Sequence, residues 1–302
     1  MRPEVLAAIF EASRHFVQYD ELAEGVGRRL AEITGAEWGM IPAGCAAGLK
    51  HVTAACVTGG NPEKLIRIPD LTGMEKTQVI APRYSRNAYD HAVRNIGVEV
   101  VTVETPAELS HAINAKTAMI YVVAGGGSAE GQPLSLETVV EIAKPAEIPV
   151  LVDAAAEDLT IPCIHLKKGA DVVAYSGGKA IYGPQGAGLL LGDKKILMSA
   201  WQASSPHHGP SRDNKIGREE IMGMLAAVEA WVTRDHAAEW RMWLSRLDYI
   251  AQRVSQVAGV ETGVEQPSGH FNRPPALVIR WDAAVLHITG EQVAEDFARN
   301  KP

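Results

Sequence analysis

Cysteine is scarce in this chain: three in 302 residues, Cys45, Cys56 and Cys163, an odd number at unrelated spacings. That excludes a disulfide framework and a cysteine zinc site, and it fits reduced thiols in a cytoplasmic protein. Positive charge is also short, with 29 Lys and Arg against 36 Asp and Glu and a formal net charge of -7. Nucleic-acid binding rests on neutralising phosphates, so a chain without a Lys/Arg tract argues against a DNA or tRNA partner. No uninterrupted apolar run reaches the roughly 18 residues that a membrane span needs. The start, MRPEVLAAIFEASRHF, carries acidic residues in a helical apolar pattern and is not a secretory leader. His207 and His208 have no partner at metal-ligand spacing, so no metal is expected.

Two nucleotide motifs are missing as well. SGGKA resembles the end of a phosphate-binding P-loop, but Val173 stands where the first glycine belongs and Ala180 replaces the magnesium-binding hydroxyl. GGGSAEG fails the dinucleotide pattern at Glu130.

What is present is an alternation of strand and helix signals. Residues 3–33 show apolar positions at helical spacing with a break near Tyr19, where Asp20 suits a helix cap. TQVIAPR, VEVVTVE, TAMIYVVAG, IPVLVDAAA and DVVAYSGG are short, rich in β-branched residues and closed by glycine or polar turns. Helical stretches such as NAYDHAVRNIG and SLETVVEIAKPA separate them, the second with Ser135 at its start. Strands that are apolar on both faces and alternate with helices predict an α/β fold, a mostly parallel sheet covered on both sides. Past residue 215 a long amphipathic helical region follows, whose Trp231, Trp240 and Trp243 read as core packing. PALVIRWDA then reads as a strand and TGEQVAEDFARN as a helix, short for a complete second domain. The expected organisation is a helical segment 1–34, a large cofactor-binding domain 35–214, linking helices 215–258 and a small C-terminal α+β domain 259–302.

In parallel α/β sheets ligands gather at the carboxyl ends of the strands. Three such places carry residues that a sheet does not need. Asp153 ends the apolar strand VLVD, where a carboxylate either caps a helix or pairs with a buried cation. Lys179 follows DVVAYSGG, with Ser176 three residues before it; it is either a surface amine or a Schiff-base nucleophile. In PAGCAAG, Gly44 permits a sharp bend into a small-residue helix, which serves either close packing or an anion at the free N–H groups. A phosphate-binding helix start, a carboxylate and an amine-bearing lysine, in that chain order, match the needs of pyridoxal phosphate.

The segments GAEWGMIPAGCAAGL, RNAYDHAVRNIGVEVV, IPVLVDAAAE, GADVVAYSGGKAIYGPQGAGLLLG and IGREEIMGMLAAVEA resemble the fold-type I pyridoxal-phosphate enzymes related to bacterial selenocysteine synthase. Within that group they are most similar to the D-glucosaminate-6-phosphate ammonia-lyase branch. The resemblance implies the fold-type I architecture and a lyase acting on a β-hydroxy amino acid or amino-sugar acid. It implies Lys179 as the cofactor-linked catalytic amine and Asp153 as partner of the ring nitrogen. Gly44, Cys45, Ala46 and Ser176 would hold the phosphate, with Ala155 under the ring. It further implies a homo-oligomer, at least a dimer, with Lys215 and Gly217 as candidates for a phosphate contact across subunits. Selenium transfer to seryl-tRNA, another pyridoxal-phosphate reaction (racemisation, aldol cleavage or transamination) and a non-catalytic homologue are the alternatives. Relatives carry an N-terminal strand segment ahead of the first helix seen here, a histidine near Ser85 and often an arginine at Tyr182.

Overall fold

The computed structural model describes residues 1–125 and 131–300. The stretch 126–130, which holds most of the GGGSAEG run, lies outside the described residues. The chain divides into two units, Met1–Thr233 with Gly269–Asn272, and Arg234–Ser268 with Arg273–Pro302.

The first unit opens with α1 (Pro3–Ser13) and α2 (Tyr19–Thr34), and continues through β1 (Trp38–Met40), α3 (Cys45–Thr58) and α4 (Pro62–Leu65). Then come β2 (Gln78–Pro82), α5 (His91–Arg94), β3 (Glu99–Val103), α6 (Pro106–Ala112), β4 (Thr117–Val123) and α7 (Leu136–Ala143). β5 (Val150–Asp153), α8 (Ile164–Lys167), β6 (Val172–Ser176), β7 (Gly188–Gly192), α9 (Lys194–Ala203) and α10 (Arg218–Thr233) complete it. Each strand expected between residues 77 and 178 forms.

The expectation for Asp20 is corrected. The Gln18 side chain caps α2 by accepting from the Asp20 N–H, and the Asp20 carboxylate accepts the Trp201 indole N–H at 2.7 Å. Asp20 therefore ties α2 to α9, because the helix is capped two residues earlier than the cap pattern suggests. Ser135 does start α7, accepting from the Thr138 N–H.

The sheet order is β1-β7-β6-β5-β4-β2-β3, with β7 running against the other six strands. Period-two alternation divides its side chains between two cores. Met119, Tyr121, Leu151, Val172, Ala174 and Leu190 face one core with Leu49 and Val52 of α3 and Leu197 of α9. Ile120, Val122, Val152, Val173 and Leu189 face the other, with Leu30 of α2, Val139 of α7 and Met224 of α10. Burial on both faces explains why these strands read as unbroken apolar runs. Asp153 follows Leu151 by two residues and so points to the α3 face.

The second unit contains α11 (His236–Val254), the antiparallel pair β8 (Val260–Glu265) and β9 (Ala276–Trp281), α12 (Ala283–Leu286) and α13 (Gly290–Arg299). A reciprocal capping box between Thr289 and Gln292 starts α13. The tryptophans differ from one another. Trp231 is buried in the core of the first unit, whereas Trp240 and Trp243 of α11 are half-buried and pack edge-on, 5.8 Å between centroids. No helix among the described residues is long and apolar enough to cross a membrane.

Candidate active site

The carboxyl ends of β5 and β6 and the start of α3 come together on one side of the sheet. Register pairs Asp153 with Ala174 and with Val123, and pairs Ser176 with Gly188 on β7. Gly188 in turn lies against the first turn of α3: a Cβ placed on it would fall 2.6 Å from the Gly44 carbonyl carbon and 2.8 Å from the Cys45 nitrogen. The Pro42 carbonyl accepts from both Gly44 N–H (2.8 Å) and Gly188 N–H (2.9 Å), which fixes the turn against the strand. Gly44 takes φ +90°, a region that side chains avoid, and among the described residues no side chain caps α3 behind it. The first N–H groups of a fourteen-residue helix, Cys45 and Ala46 among them, therefore stay available for an anion. The half-buried Ser176 sits beside this turn through Gly188.

Asp153 is buried, 6% exposed, and forms no ion pair among the described residues. Its Oδ1 accepts from the Ala155 N–H at 3.0 Å and the Cys45 thiol at 3.5 Å, and its Oδ2 accepts from the Tyr121 hydroxyl at 3.1 Å. Burial pushes its carboxyl above the ordinary range, opposed by those three donors and by the Lys179 charge. Burial and the neighbouring carboxylate together hold the Cys45 thiol and the Tyr121 phenol in their protonated, donating forms. Lys179 lies in the turn after β6; its backbone is held by the Tyr182 N–H donating to its carbonyl at 3.0 Å, and its side chain is exposed.

The loop after β5 is fastened from far away in sequence. Asn272 donates through its side-chain amide to the Ala155 carbonyl at 3.3 Å and the Glu157 carbonyl at 3.2 Å. The largely buried His165 and Glu157 side chains bond to each other and brace the same loop against α8. Lys215 is exposed, and the Gly217 N–H donates to the Glu220 carboxylate at 3.1 Å. Among the described residues, no hydrogen bond or ion pair joins either residue to Asp153, Ser176 or Lys179.

A phosphorylated pyridine aldehyde fits this donor set. The uncapped helix start and Ser176 suit a phosphate, the buried carboxylate with no ion pair among the described residues suits a protonated ring nitrogen, and the exposed lysine amine suits an aldehyde. The close contact at Gly188 packs β7 directly against the start of α3, which fixes the helix N–H groups beside Ser176. No His, Cys, Asp or Glu grouping among the described residues is arranged to hold a metal.

Comparison with known proteins shows the family. The family model described as Aminotransferase class-V matches residues 72–240. The chain belongs to the aminotransferase class-V family. Fold-type I pyridoxal-phosphate enzymes make up this family, so the cofactor follows from membership. One relative, "D-glucosaminate-6-phosphate ammonia lyase" of Salmonella typhimurium (strain 14028s / SGSC 2262), is 31% identical over 272 residues, 87% of this chain and 71% of the relative. "5'-C-glycyluridine monooxygenase-decarboxylase" of Streptomyces sp is 29% identical over 273 residues, 87% of this chain and 67% of the relative. A solved structure of D-glucosaminate-6-phosphate ammonia-lyase superimposes with a TM-score of 0.88 at 28% identity, covering 99% of this chain and 80% of that one.

Two positions depart from the family pattern in physical terms. Ser85, where a histidine was expected from the resemblance, is fully buried, and its hydroxyl accepts from the Val123 N–H at 2.9 Å. It pins the turn after β2 to the end of β4. Tyr182 sits at φ +60° with the Arg2 guanidinium 5.4 Å above its ring. Tyr121 and Asn272 escape a sequence reading. The hydroxyl of a tyrosine inside the apolar run TAMIYVV is the only local signal for the first, since a buried phenol seeks a partner. Asn272 offers none.

Proposed function

We propose that this protein is a pyridoxal-phosphate-dependent lyase that converts a β-hydroxy amino acid of the amino-sugar-acid class into a 2-oxo acid and ammonia. D-glucosaminate 6-phosphate is the first substrate to test. The observation that carries the reading is the likeness to the solved ammonia-lyase along 99% of the chain, joined to a site whose donors suit the cofactor. When bound, pyridoxal phosphate supplies an electron sink that acidifies the substrate α-carbon.

The chain's own residues divide the remaining work. The Cys45 and Ala46 N–H groups, the Gly44 turn and the Ser176 hydroxyl would hold the phosphate, and Ala155 would lie against the ring. Asp153 would keep a proton on the ring nitrogen by charge pairing. The Lys179 amine would hold the aldehyde of the cofactor, and the same amine is the base that would move the proton at the substrate α-carbon. Loss of that proton and of the β-hydroxyl expels water, and hydrolysis then consumes water and releases ammonia. We further assign the protein to the cytoplasm as a homo-oligomer, with Lys215 and Gly217 turned to the phosphate of a neighbouring subunit.

The similarity to the Streptomyces enzyme favours a second reading, oxidative decarboxylation of an amino acid. One experiment separates the two. Purified protein loaded with pyridoxal phosphate is given D-glucosaminate 6-phosphate and a panel of β-hydroxy amino acids, and ammonia, 2-oxo acid, oxygen uptake and carbon dioxide are measured. Equimolar ammonia and 2-oxo acid without oxygen uptake are expected. Oxygen uptake with carbon dioxide release supports the second reading, and no turnover across the panel overturns the lyase.

A further inference from the structure

We propose that Tyr121 and Cys45 are positioning residues that hold the Asp153 carboxylate in one orientation and leave a single accepting position, on Oδ2, for the ring N–H of the cofactor. An ionised carboxylate offers about four lone-pair positions. Three are taken: Oδ1 by Ala155 N–H at 3.0 Å and Cys45 S–H at 3.5 Å, and Oδ2 by Tyr121 O–H at 3.1 Å. The donors come from three different elements, the loop after β5, the first residue of α3 and the interior of β4, so the carboxylate cannot turn about its Cβ–Cγ bond without breaking a bond to at least one of them.

The strand register makes this possible. Tyr121 pairs with Leu151, and Asp153 stands two residues further along β5 on the same face, so the long phenol reaches diagonally across the strands to it. Tyr121 is 1% exposed and its ring fills the α3-side core. Cys45 joins the carboxylate to the phosphate end of the site, since its own backbone N–H belongs to the uncapped start of α3. One residue thus joins the buried carboxylate to the helix start that would hold the phosphate. The charged and titratable groups around Asp153 are Cys45 from α3, Tyr121 from β4 and Lys179 from the turn after β6. Asp90 acts on Tyr121 at longer range and is itself held by Arg86 and Arg94. Donors to the carboxylate lower its proton affinity, so the shared proton stays on the ring nitrogen.

The inference rests on the pyridoxal-phosphate reading of the site, and binding measurements on the apo protein separate the two. The probes are pyridoxal phosphate and its 1-deaza analogue, in which carbon replaces the ring nitrogen. Wild type binds the first more tightly; equal affinity for both overturns the role of Asp153 itself, and with it the clamp. Tyr121→Phe, which keeps the ring and its packing, and Cys45→Ala each reduce the preference by about tenfold, the low end for a hydrogen bond to a charged group. Their affinity for the deaza analogue stays at the wild-type value. In Tyr121→Phe the acid-side loss of pyridoxal phosphate binding also moves to higher pH, because the carboxylate protonates more readily. A preference unchanged in both variants overturns the proposal, and so does an equal loss for both probes, which marks a merely structural effect.

Discussion

Gly188 of β7 and Gly44 at the head of α3 meet so closely that a Cβ on Gly188 would fall 2.6 Å from the Gly44 carbonyl carbon. The obstructing atoms are backbone, held by the shared Pro42 carbonyl, and no flexible side chain can give way. Gly188→Ala therefore forces the strand and the helix start apart. A loss of about 1–3 kcal/mol is expected from such overpacking, together with weaker pyridoxal phosphate binding. Thermal unfolding and a cofactor titration check it, and an unchanged Tm with unchanged affinity contradicts it.

Lys179 has an exposed side chain, so replacing it removes chemistry without removing packing. Lys179→Ala keeps the wild-type Tm and loses the near-visible absorbance that pyridoxal phosphate shows when linked to a lysine. If the variant still develops that band, another lysine carries the cofactor.

Lys50 and Asp213 form an asymmetric ion pair, with Nζ 2.8 Å from Oδ1, where the lysine side chain is 10% exposed and the aspartate 68%. Asn214 accepts from the same ammonium at 3.2 Å. Removing the aspartate leaves a charge buried, whereas removing the lysine leaves one in water. Asp213→Asn is expected to cost about 1–3 kcal/mol, as for a buried charge that loses its partner, and Lys50→Met less than 1 kcal/mol. Urea unfolding of both variants measures the difference, and equal losses would refute the asymmetry.

His51 of α3 is fully buried, and neither ring nitrogen has a hydrogen-bond partner among the described residues. Burial, reinforced by the Lys50 charge, lowers its pKa from 6.5 to about 3. The folded state thus refuses a proton that the unfolded chain takes up below about pH 6.5. Stability contributed by this site falls as pH drops from about 6.5 to about 3, at up to about 1.4 kcal/mol per pH unit for one proton. His51→Leu removes that slope: relative to wild type, its urea midpoint improves steadily between pH 7 and pH 4. A constant offset across that range would show that His51 does not couple folding to pH.

Much of the first unit was legible residue by residue. The strands from β2 to β6 are short runs rich in β-branched residues between glycine and polar turns, and in β2, β4, β5 and β6 burial on both faces leaves no polar alternation to confuse them. The site was legible where chemistry contradicts packing: a carboxylate closing an apolar strand, a lysine after two glycines, a glycine ahead of an unusually small-residue helix start. Asp20 was misread because its side chain found Trp201, 181 residues away, while Gln18 took the cap.

The sequence alone determined the alternation of elements and which residues carry unusual chemistry, because both depend on local spacing and on the cost of burying a charge. Only the tertiary structure decided which of them meet. The antiparallel direction of β7 brings Gly188 under Gly44, the β4–β5 register sets Tyr121 against Asp153, and Asn272 reaches the loop after β5 from 117 residues away. Those relations are made between segments distant in the chain, through sheet order and register, and no local pattern encodes them.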